Sequence, residues 1–312
     1  MKKAWEMNIP SDAELIKRLQ KPSGQIDVVF DTDTYNEIDD QYALSYMIKN
    51  SERLNVKAIY AAPYFNDKST SPKDGMERSY AEILKLLELL GRTDLNDSVF
   101  KGSETYLPDE ETPVASNAAE DLVKRAMKYS AESPLYVVAI GAITNIASAI
   151  LIDPAIRDRI VVVWLGGHAI NWPNNAEFNL MQDVAAARII FGCGVPLVQL
   201  PCNGVVSSFA ISEPEFKEYF HGKNELCTYL AEYSIAEGRR CSKIKTWSRV
   251  IWDVTAVAWL LGDDFMSDTL IHSPIPQYDN SLAFSETRHF IRYVYSINRD
   301  KLLEDLVDKL TN

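Results

Sequence analysis

Short apolar runs rich in β-branched residues alternate with helical segments along most of the chain, and this alternation constrains the fold more than any other feature. The runs are typical of strands that are buried on both faces of a sheet. We interpret as strands the ranges 26–30, 56–64, 98–102, 134–141, 159–167 and 195–201. The spacing of apolar residues predicts helices over 39–50, 75–91, 117–130, 144–153 and 182–194. The sequence therefore predicts an α/β fold with a mostly parallel open sheet flanked by helices.

The residues before the first predicted strand have a helix signal of their own. Ser11 and Glu14 have the spacing of a capping box, which predicts a short helix over 12–20. Beyond this segment there is no Gly/Ser-rich linker, charge block or internal repeat that would divide the chain. We expect an N-terminal helical appendage over 1–25 and a single domain over 26–312.

Composition and charge exclude several classes of partner. With 32 basic and 44 acidic residues, the formal net charge is −12, which argues against a nucleic acid or an anionic membrane as a partner. A cation or a neutral small molecule suits this charge, although solubility alone would also explain it. The four cysteines lack metal-ligand spacing and indicate reduced thiols. Because there is neither a signal peptide nor a run of roughly 18 apolar residues, we expect a cytoplasmic protein.

The stretch "DTDTYNEIDD" follows the first predicted strand directly and crowds five carboxylates together, namely Asp31, Asp33, Glu37, Asp39 and Asp40. Turn formation and helix capping would explain one or two of them. These two roles do not explain why five carboxylates lie so close together, because neighbouring carboxylates repel each other and raise each other's pKa. A hard cation removes this conflict, and Ca²⁺ takes six to eight oxygen ligands of this kind. The stretch therefore predicts a divalent-metal site.

Two other informative loops follow predicted strands at the same edge of the sheet. They are "IGAITN", 140–145, and "LGGHAIN", 165–171. Ligands of open α/β sheets bind outside the carboxyl ends of the strands. We therefore expect these loops and the acidic stretch to form one site.

Several segments, taken in order, resemble the calcium-dependent nucleoside hydrolases. The acidic stretch is similar to their signature D-x-D-x-G-x-D-D, but it lacks the glycine and has two additional residues before the Asp pair. Later segments that resemble the family are "IGAITNIASAI" (140–150), "VVVWLGG" (161–167), "NAEFNLMQDVAAA" (175–187) and "WDVTAVAWLL" (252–261). The resemblance spans residues 26–262 and implies a single-domain, Rossmann-like nucleoside hydrolase fold.

The resemblance implies that the protein hydrolyses the N-glycosidic bond of ribonucleosides to give base and ribose. The nucleophile would be a water that calcium activates. The resemblance also implies calcium binding by Asp33, Asp40, Asp253 and the backbone carbonyl of Ile140, with Asp33 also acting as the general base. It implies substrate contacts for Asp39, Asn66, Asn171, Glu177, Asn179 and Trp252. Asp31 would be a positioning carboxylate, and the protein would form a homodimer or a homotetramer.

The identity of residue 252 indicates which kind of base the enzyme would release. Family members that prefer inosine and uridine have a histidine at this place, which is proposed to protonate the departing base. Indole is not an acid in the useful range, but it can stack on a purine and stabilise a positive charge on it. We therefore predict purine preference, with Tyr64, Phe65 or Tyr80 on the other face of the base. His168 could reach the rim of the pocket, but we interpret it as a polar loop residue.

Other functions stay open at this point. One is a calcium-dependent protein that binds ribosyl ligands with little turnover, if the two additional residues displace the base or the metal. Another is hydrolysis of a different N-ribosyl compound, such as nicotinamide riboside. A haloacid-dehalogenase-like phosphatase also has D-x-D after its first strand, but the Asp pair and "AEFN" have no place in that scheme.

Overall fold

A computed structural model describes residue 5, residues 9–262 and residues 264–312. Its main sheet consists of β1 (Ile26–Thr32), β2 (Leu54–Ala61), β3 (Val99–Lys101), β4 (Leu135–Ala139), β5 (Ile160–Leu165), β6 (Leu197–Leu200), β9 (Met266–His272) and β12 (Phe290–Ile297). Two small antiparallel pairs are β7 (Ala210–Ser212) with β8 (Ser248–Val250), and β10 (Ile275–Pro276) with β11 (Leu282–Ala283).

The helices lie between the strands, as the alternation predicts. They are α1 (Asp12–Arg18), α2 (Asp39–Lys49), α3 (Pro72–Leu89), α4 (Asn117–Ala126), α5 (Thr144–Ile152), α6 (Phe178–Gln182), α7 (Val184–Gly192), α8 (Glu213–Tyr219), α9 (Glu225–Cys241), α10 (Val254–Trp259) and α11 (Arg299–Thr311). None of these described helices combines the length and the apolar composition that a bilayer crossing needs.

The strand order is β3-β2-β1-β4-β5-β6-β12-β9, and every neighbouring pair is parallel except β12 with β9. The predicted α/β class with a mostly parallel open sheet is therefore confirmed. The chain moves outward in one direction from β1 to β3, and from β4 onward it moves in the other. The crevice between β1 and β4 is thus the switch point at which such sheets bind ligands.

Both faces of the sheet are covered, which explains the continuous apolar runs. Val28 and Phe30 of β1 belong to one core cluster, together with residues of α2, α9, α10 and α11. Val29 belongs to a second cluster, together with residues of α4, α5 and α7. Successive side chains of a strand point to opposite faces, so a strand with two covered faces has no polar alternation. The predicted run 26–30 forms the first five residues of β1, which extends to Thr32 and includes Asp31.

The predicted capping box is present at the start of α1. The backbone N–H of Ser11 donates to Glu14 Oε2 at 2.8 Å, and the Glu14 N–H donates to Ser11 Oγ at 3.4 Å. Leu15 and Leu19 are completely buried in the core cluster that contains α2. The helix is thus packed against the main domain. The domain boundary at residue 25 stays a prediction.

We expect Leu15→Ala to lower the free energy of unfolding by about 2–5 kcal/mol, because the change leaves a cavity under a helix that is packed on the core. Urea denaturation of the whole chain measures the change. Lys17→Ala, at an exposed position of the same helix, is the control and should stay within about 0.5 kcal/mol. Equal stability of the Leu15 variant and the control would mean that the segment does not stabilise the domain.

Candidate active site

A cavity of about 340 Å³ opens at the carboxyl edge of the sheet. It lies at the switch point, where β1 and β4 end side by side. The described residues that line it are Asp33, Asn36, Glu37, Asp39, Asp40, Asn66, Ile140, Leu165, His168, Ala176, Glu177, Phe178, Asn179, Cys202, Asn203, Trp252 and Asp253. All three loops that the sequence assigned to this edge contribute residues.

The acidic stretch is folded into a turn between β1 and α2. The N–H of Asn36 donates to the backbone oxygen of Asp33 at 2.7 Å, which closes the turn. Asp39 and Asp40 then form the first turn of α2, where the free N–H groups and the helix dipole favour negative charge. Both carboxylates are buried.

Three carboxylates from two distant parts of the chain converge on the cavity. One oxygen each of Asp39, Asp40 and Asp253 can be chosen so that all lie within 4.8 Å of one another. Asp253 immediately precedes α10, which packs on α2. Burial, followed by the charge of neighbouring carboxylates, raises the pKa of Asp40 and Asp253 well above the usual value. Burial and the nearby Glu37 raise the pKa of Asp39 to about 7. Without a cation this arrangement is therefore unfavourable for ionised groups.

Unsatisfied oxygens at the cavity fit a bound cation. Asp33 Oδ2 and Asp39 Oδ1 are buried and have no hydrogen-bond partner among the described residues. Buried carboxylate oxygens normally have partners, and a missing one indicates an ion or a water. Asp33 is not a member of the three-carboxylate group, but its charge raises the pKa of both Asp40 and Asp253. An all-oxygen donor set of this kind suits a hard divalent cation.

Asp31 lies behind the cavity and does not line it. It is completely buried, and its Oδ1 accepts a hydrogen bond from Asn145 Nδ2 at 2.8 Å. Burial raises the pKa of this carboxyl to about 7. The backbone oxygen of Asp31 also accepts from the N–H of Ile140 at 2.9 Å, which joins the ends of β1 and β4.

The "AEFN" segment is held rigidly against β4 and β5. The Glu177 carboxylate accepts hydrogen bonds from the N–H groups of Gly167, Asn179 and Leu180 at 2.8–2.9 Å. Asn179 Nδ2 donates to the backbone oxygens of Ile140 and Leu165 at 3.0 and 2.9 Å. Burial raises the pKa of Glu177 although these N–H groups oppose the shift. One wall of the cavity is thus formed by Glu177, Asn179 and the Ile140 carbonyl.

Asn66 and Asn171 differ in their positions. Asn66 lines the cavity, and its Nδ2 donates to Asn36 Oδ1 at 2.6 Å. Asn171 is exposed in the loop after β5 and is not among the described residues that line the cavity, which differs from our expectation. In the same loop Asn175 is buried, and its Oδ1 accepts a hydrogen bond from the His168 N–H. Spacing from Glu177 alone therefore does not place Asn171 at the site.

The aromatic side chains at the cavity are Trp252 and Phe178. Tyr64, Phe65 and Tyr80, which were candidates for the opposite face of a base, do not line it. Tyr64 is completely buried and Phe65 is 53% exposed, while Tyr80 is packed against the core on α3. Tyr64 and Phe65 lie in the loop after β2, and Tyr80 belongs to α3.

His168 lies at the rim and is buried. Its Nδ1 accepts a hydrogen bond from the backbone N–H of Asn203 at 3.3 Å, and its Nε2 lies 3.4 Å from Asn203 Nδ2. Burial lowers the pKa of this imidazole. Burial therefore favours the neutral form of His168 near pH 7.

Several lining residues had no individual role predicted from the sequence, among them Asn36, Glu37, Cys202 and Asn203. Asn36 and Glu37 lie in the segment that has the two additional residues, between the D-x-D pair and Asp39. That departure from the family signature was the available signal. Cys202 and Asn203 directly follow β6, so the rule that ligands bind beyond the carboxyl ends of strands could have indicated them.

Comparisons with known proteins are consistent with this geometry. The fold and the site together are those of an α/β enzyme whose carboxylate-lined cavity lies at the switch point and could hold a cation. Residues 28–301 match the model of the family described as inosine-uridine preferring nucleoside hydrolase. The chain belongs to this family, whose members are metal-dependent enzymes that cleave the N-glycosidic bond of ribonucleosides.

Three relatives illustrate the similarity. The chain is 27% identical over 231 residues to probable uridine nucleosidase 2 of Arabidopsis thaliana, which covers 66% of this chain and 67% of that protein. It is 26% identical over 258 residues to pyrimidine-specific ribonucleoside hydrolase RihA of Citrobacter koseri, which covers 75% and 78%. The solved plant nucleoside hydrolase PpNRh1 has the same fold, with a TM-score of 0.73 and 20% identity over 92% of this chain and 99% of that one.

Proposed function

We propose that the chain hydrolyses ribonucleosides to base and ribose with calcium as its cofactor, and that it prefers purine nucleosides. The observation that carries the proposal is the convergence of Asp39, Asp40 and Asp253 in a cavity with unsatisfied carboxylate oxygens. Calcium is favoured among divalent cations because the donors are all oxygens and are numerous.

Asp40 and Asp253 would hold the cation, together with Asp33 and the backbone carbonyl of Ile140. When bound, the cation supplies positive charge that lowers the pKa of a water and that attracts ribose hydroxyls. Asp39 has a free buried oxygen and would accept hydrogen bonds from these hydroxyls. The carboxylates also favour the positive charge that develops on ribose as the bond to the base breaks.

Asp33 would take the proton from the attacking water. Its Oδ2 is buried in the cavity and has no partner among the described residues. Burial, followed by the charges of Asp39 and Asp31, raises its pKa well above the usual value, and a cation held beside it would favour the ionised form that accepts the proton. The ribose would be oriented by the side chains of Asp39, Asn66, Glu177 and Asn179. The proposal leaves out Asn171, because it is exposed outside the cavity.

Trp252 would stack on the departing base. The partly exposed ring lines the cavity directly before Asp253. A large aromatic face interacts better with the two fused rings of a purine than with a pyrimidine, and it stabilises a base that acquires positive charge. The curated relatives named above are described as uridine or pyrimidine hydrolases, and the proposed purine preference would separate this chain from them.

Base release from inosine, adenosine, guanosine and uridine tests the proposal. We expect the purine nucleosides to have the higher kcat/KM. Trp252→Ala should lower kcat/KM for inosine about tenfold, whereas Trp252→Phe, which keeps an aromatic face, should lose less. Uridine turning over fastest in the wild-type protein would contradict the purine preference and leave the hydrolase function intact.

A further inference from the structure

The lengthened acidic stretch places Asn36 beside Asp33. Residues 34–38 connect Asp33 to Asp39, and Asn36 is the middle residue of this connection, which is two residues longer than in the family signature. The Asn36 N–H donates to the backbone oxygen of Asp33 at 2.7 Å and closes the turn. The Asn36 side chain lines the cavity, and the residue is only 7% exposed. A feature that belongs to this chain's own turn thus brings an amide to the site.

The orientation of the Asn36 amide is set by Asn66. Asn66 Oδ1 accepts from the backbone N–H of Lys68 at 2.9 Å, which leaves Asn66 Nδ2 as the donor toward the cavity. This Nδ2 donates to Asn36 Oδ1 at 2.6 Å. Because the acceptor oxygen and the donor nitrogen of an amide point in different directions, the Asn36 nitrogen faces away from Asn66. The order of donors and acceptors is therefore fixed from the backbone of the loop after β2.

The Asn36 nitrogen faces the Asp33 carboxyl. Burial raises the pKa of Asp33 most strongly, and a hydrogen bond from the Asn36 side chain opposes this rise. Only the nitrogen of an amide can donate to an ionised carboxylate, which agrees with the orientation that Asn66 imposes. The hydrogen bonds thus run in one direction, from Asn66 to Asn36 and on to Asp33. Bonds in such a series strengthen one another.

Contacts from other loops keep Asn36 and Asp33 in place. The backbone oxygen of Asn36 accepts from Lys68 Nζ at 2.7 Å, and this Nζ lies 3.7 Å from Glu237 Oε2. In the loop after β4, Gly141 leaves room for Asp33 Oδ1, because a Cβ at Gly141 would lie 2.9 Å from that oxygen. Asp33 Oδ2 is buried and has no partner among the described residues. The carboxyl is thus confined on the protein side, and one oxygen stays available.

We propose that Asn36 is a positioning residue, which orients the Asp33 carboxylate toward the attacking water. A catalytic base works best when its accepting atom is held in one direction, and a third group commonly holds it. In this chain the lengthened turn supplies that group. The inference rests on the proposed function, because it requires Asp33 to be the base.

Asn36→Ala tests the inference in base release from inosine at saturating calcium. We expect kcat to fall about 10- to 100-fold, because Asp33 keeps its charge and loses its orientation. KM should change by no more than about threefold, since the lost contact acts on the chemical step. A disrupted turn would instead displace the neighbouring Glu37 and Asp39 and raise KM. An unchanged kcat, or a rise in KM alone, would overturn the inference.

A double variant separates orientation of the base from other effects. In the Asp33→Asn protein there is no base to orient, so adding Asn36→Ala should lower kcat by less than about threefold further. If the two losses multiply, Asn36 acts on something other than Asp33 and the inference is wrong.

Asn55→Ala is the matched control. Asn55 Nδ2 donates to Asp27 Oδ1 at 2.6 Å, where β1 and β2 begin, at the edge of the sheet opposite the cavity. The control therefore removes the same kind of bond away from the site, and it should leave kcat within a factor of about two of the wild-type value. A loss as large as that of Asn36→Ala would contradict a specific role for Asn36.

The outcomes also separate this inference from the proposed function. If the wild-type protein hydrolyses nucleosides and Asn36→Ala keeps its kcat, the inference is wrong and the hydrolase function stands. If no nucleoside of the panel releases its base in the wild-type protein, the proposed function fails and the inference fails with it.

Discussion

Asp40→Asn is expected to lower kcat/KM for inosine by about 10³-fold or more. The change removes one charge from the three-carboxylate group and replaces one carboxylate oxygen with an amide that cannot bind a cation through nitrogen. Asp40 Oδ1 also accepts from Thr32 Oγ1 at 2.6 Å, so the side chain is held for this role. Initial rates of base release at saturating calcium measure the effect.

The matched control for this prediction is Asp97→Asn, at an exposed position far along the chain from the acidic stretch. It makes the same chemical change and should leave kcat/KM within a factor of two or so of the wild-type value. An Asp40→Asn protein that keeps more than about a tenth of the wild-type rate would remove Asp40 from the metal centre.

Asp33→Asn is expected to lower kcat by about 10²–10⁴-fold, because an amide cannot accept the proton of the attacking water. Asp31→Asn is the internal control, since Asp31 is two residues earlier, is equally buried and does not line the cavity. It positions its neighbours through Asn145, and we expect it to cost far less in kcat. Equal losses in the two variants would mean that Asp33 is not the base.

Much of the fold could be predicted from local pattern. The interiors of β1, β4 and β5 are apolar and β-branched because both faces of the sheet are covered, and the predicted ranges agree with the observed strands to within a few residues. The pair β7 and β8 was missed. These strands have three residues each and are far apart in sequence, so neither has a period that a local reading can detect.

The site was predictable to the extent that its residues lie at strand ends. Asp33 and Ile140 follow β1 and β4 directly, and the parallel topology brings them together. Asp253 comes from more than 200 residues further along the chain, and only the resemblance connected it with Asp40. The position of Asn171 could not be predicted, because the conformation of a long loop depends on tertiary contacts, such as the hydrogen bond that the Ile170 N–H donates to the Tyr293 hydroxyl, and not on spacing.

The account depends on one claim, that a divalent cation occupies the space between these buried carboxylates. Calorimetric titration of chelator-treated protein with calcium tests it most directly, in the wild-type chain and in the Asp40→Asn and Asp253→Asn variants. We predict one tight calcium site per wild-type chain and greatly weakened binding in both variants. Absence of calcium binding to the folded wild-type protein, or binding that is unchanged in both variants, would contradict the account.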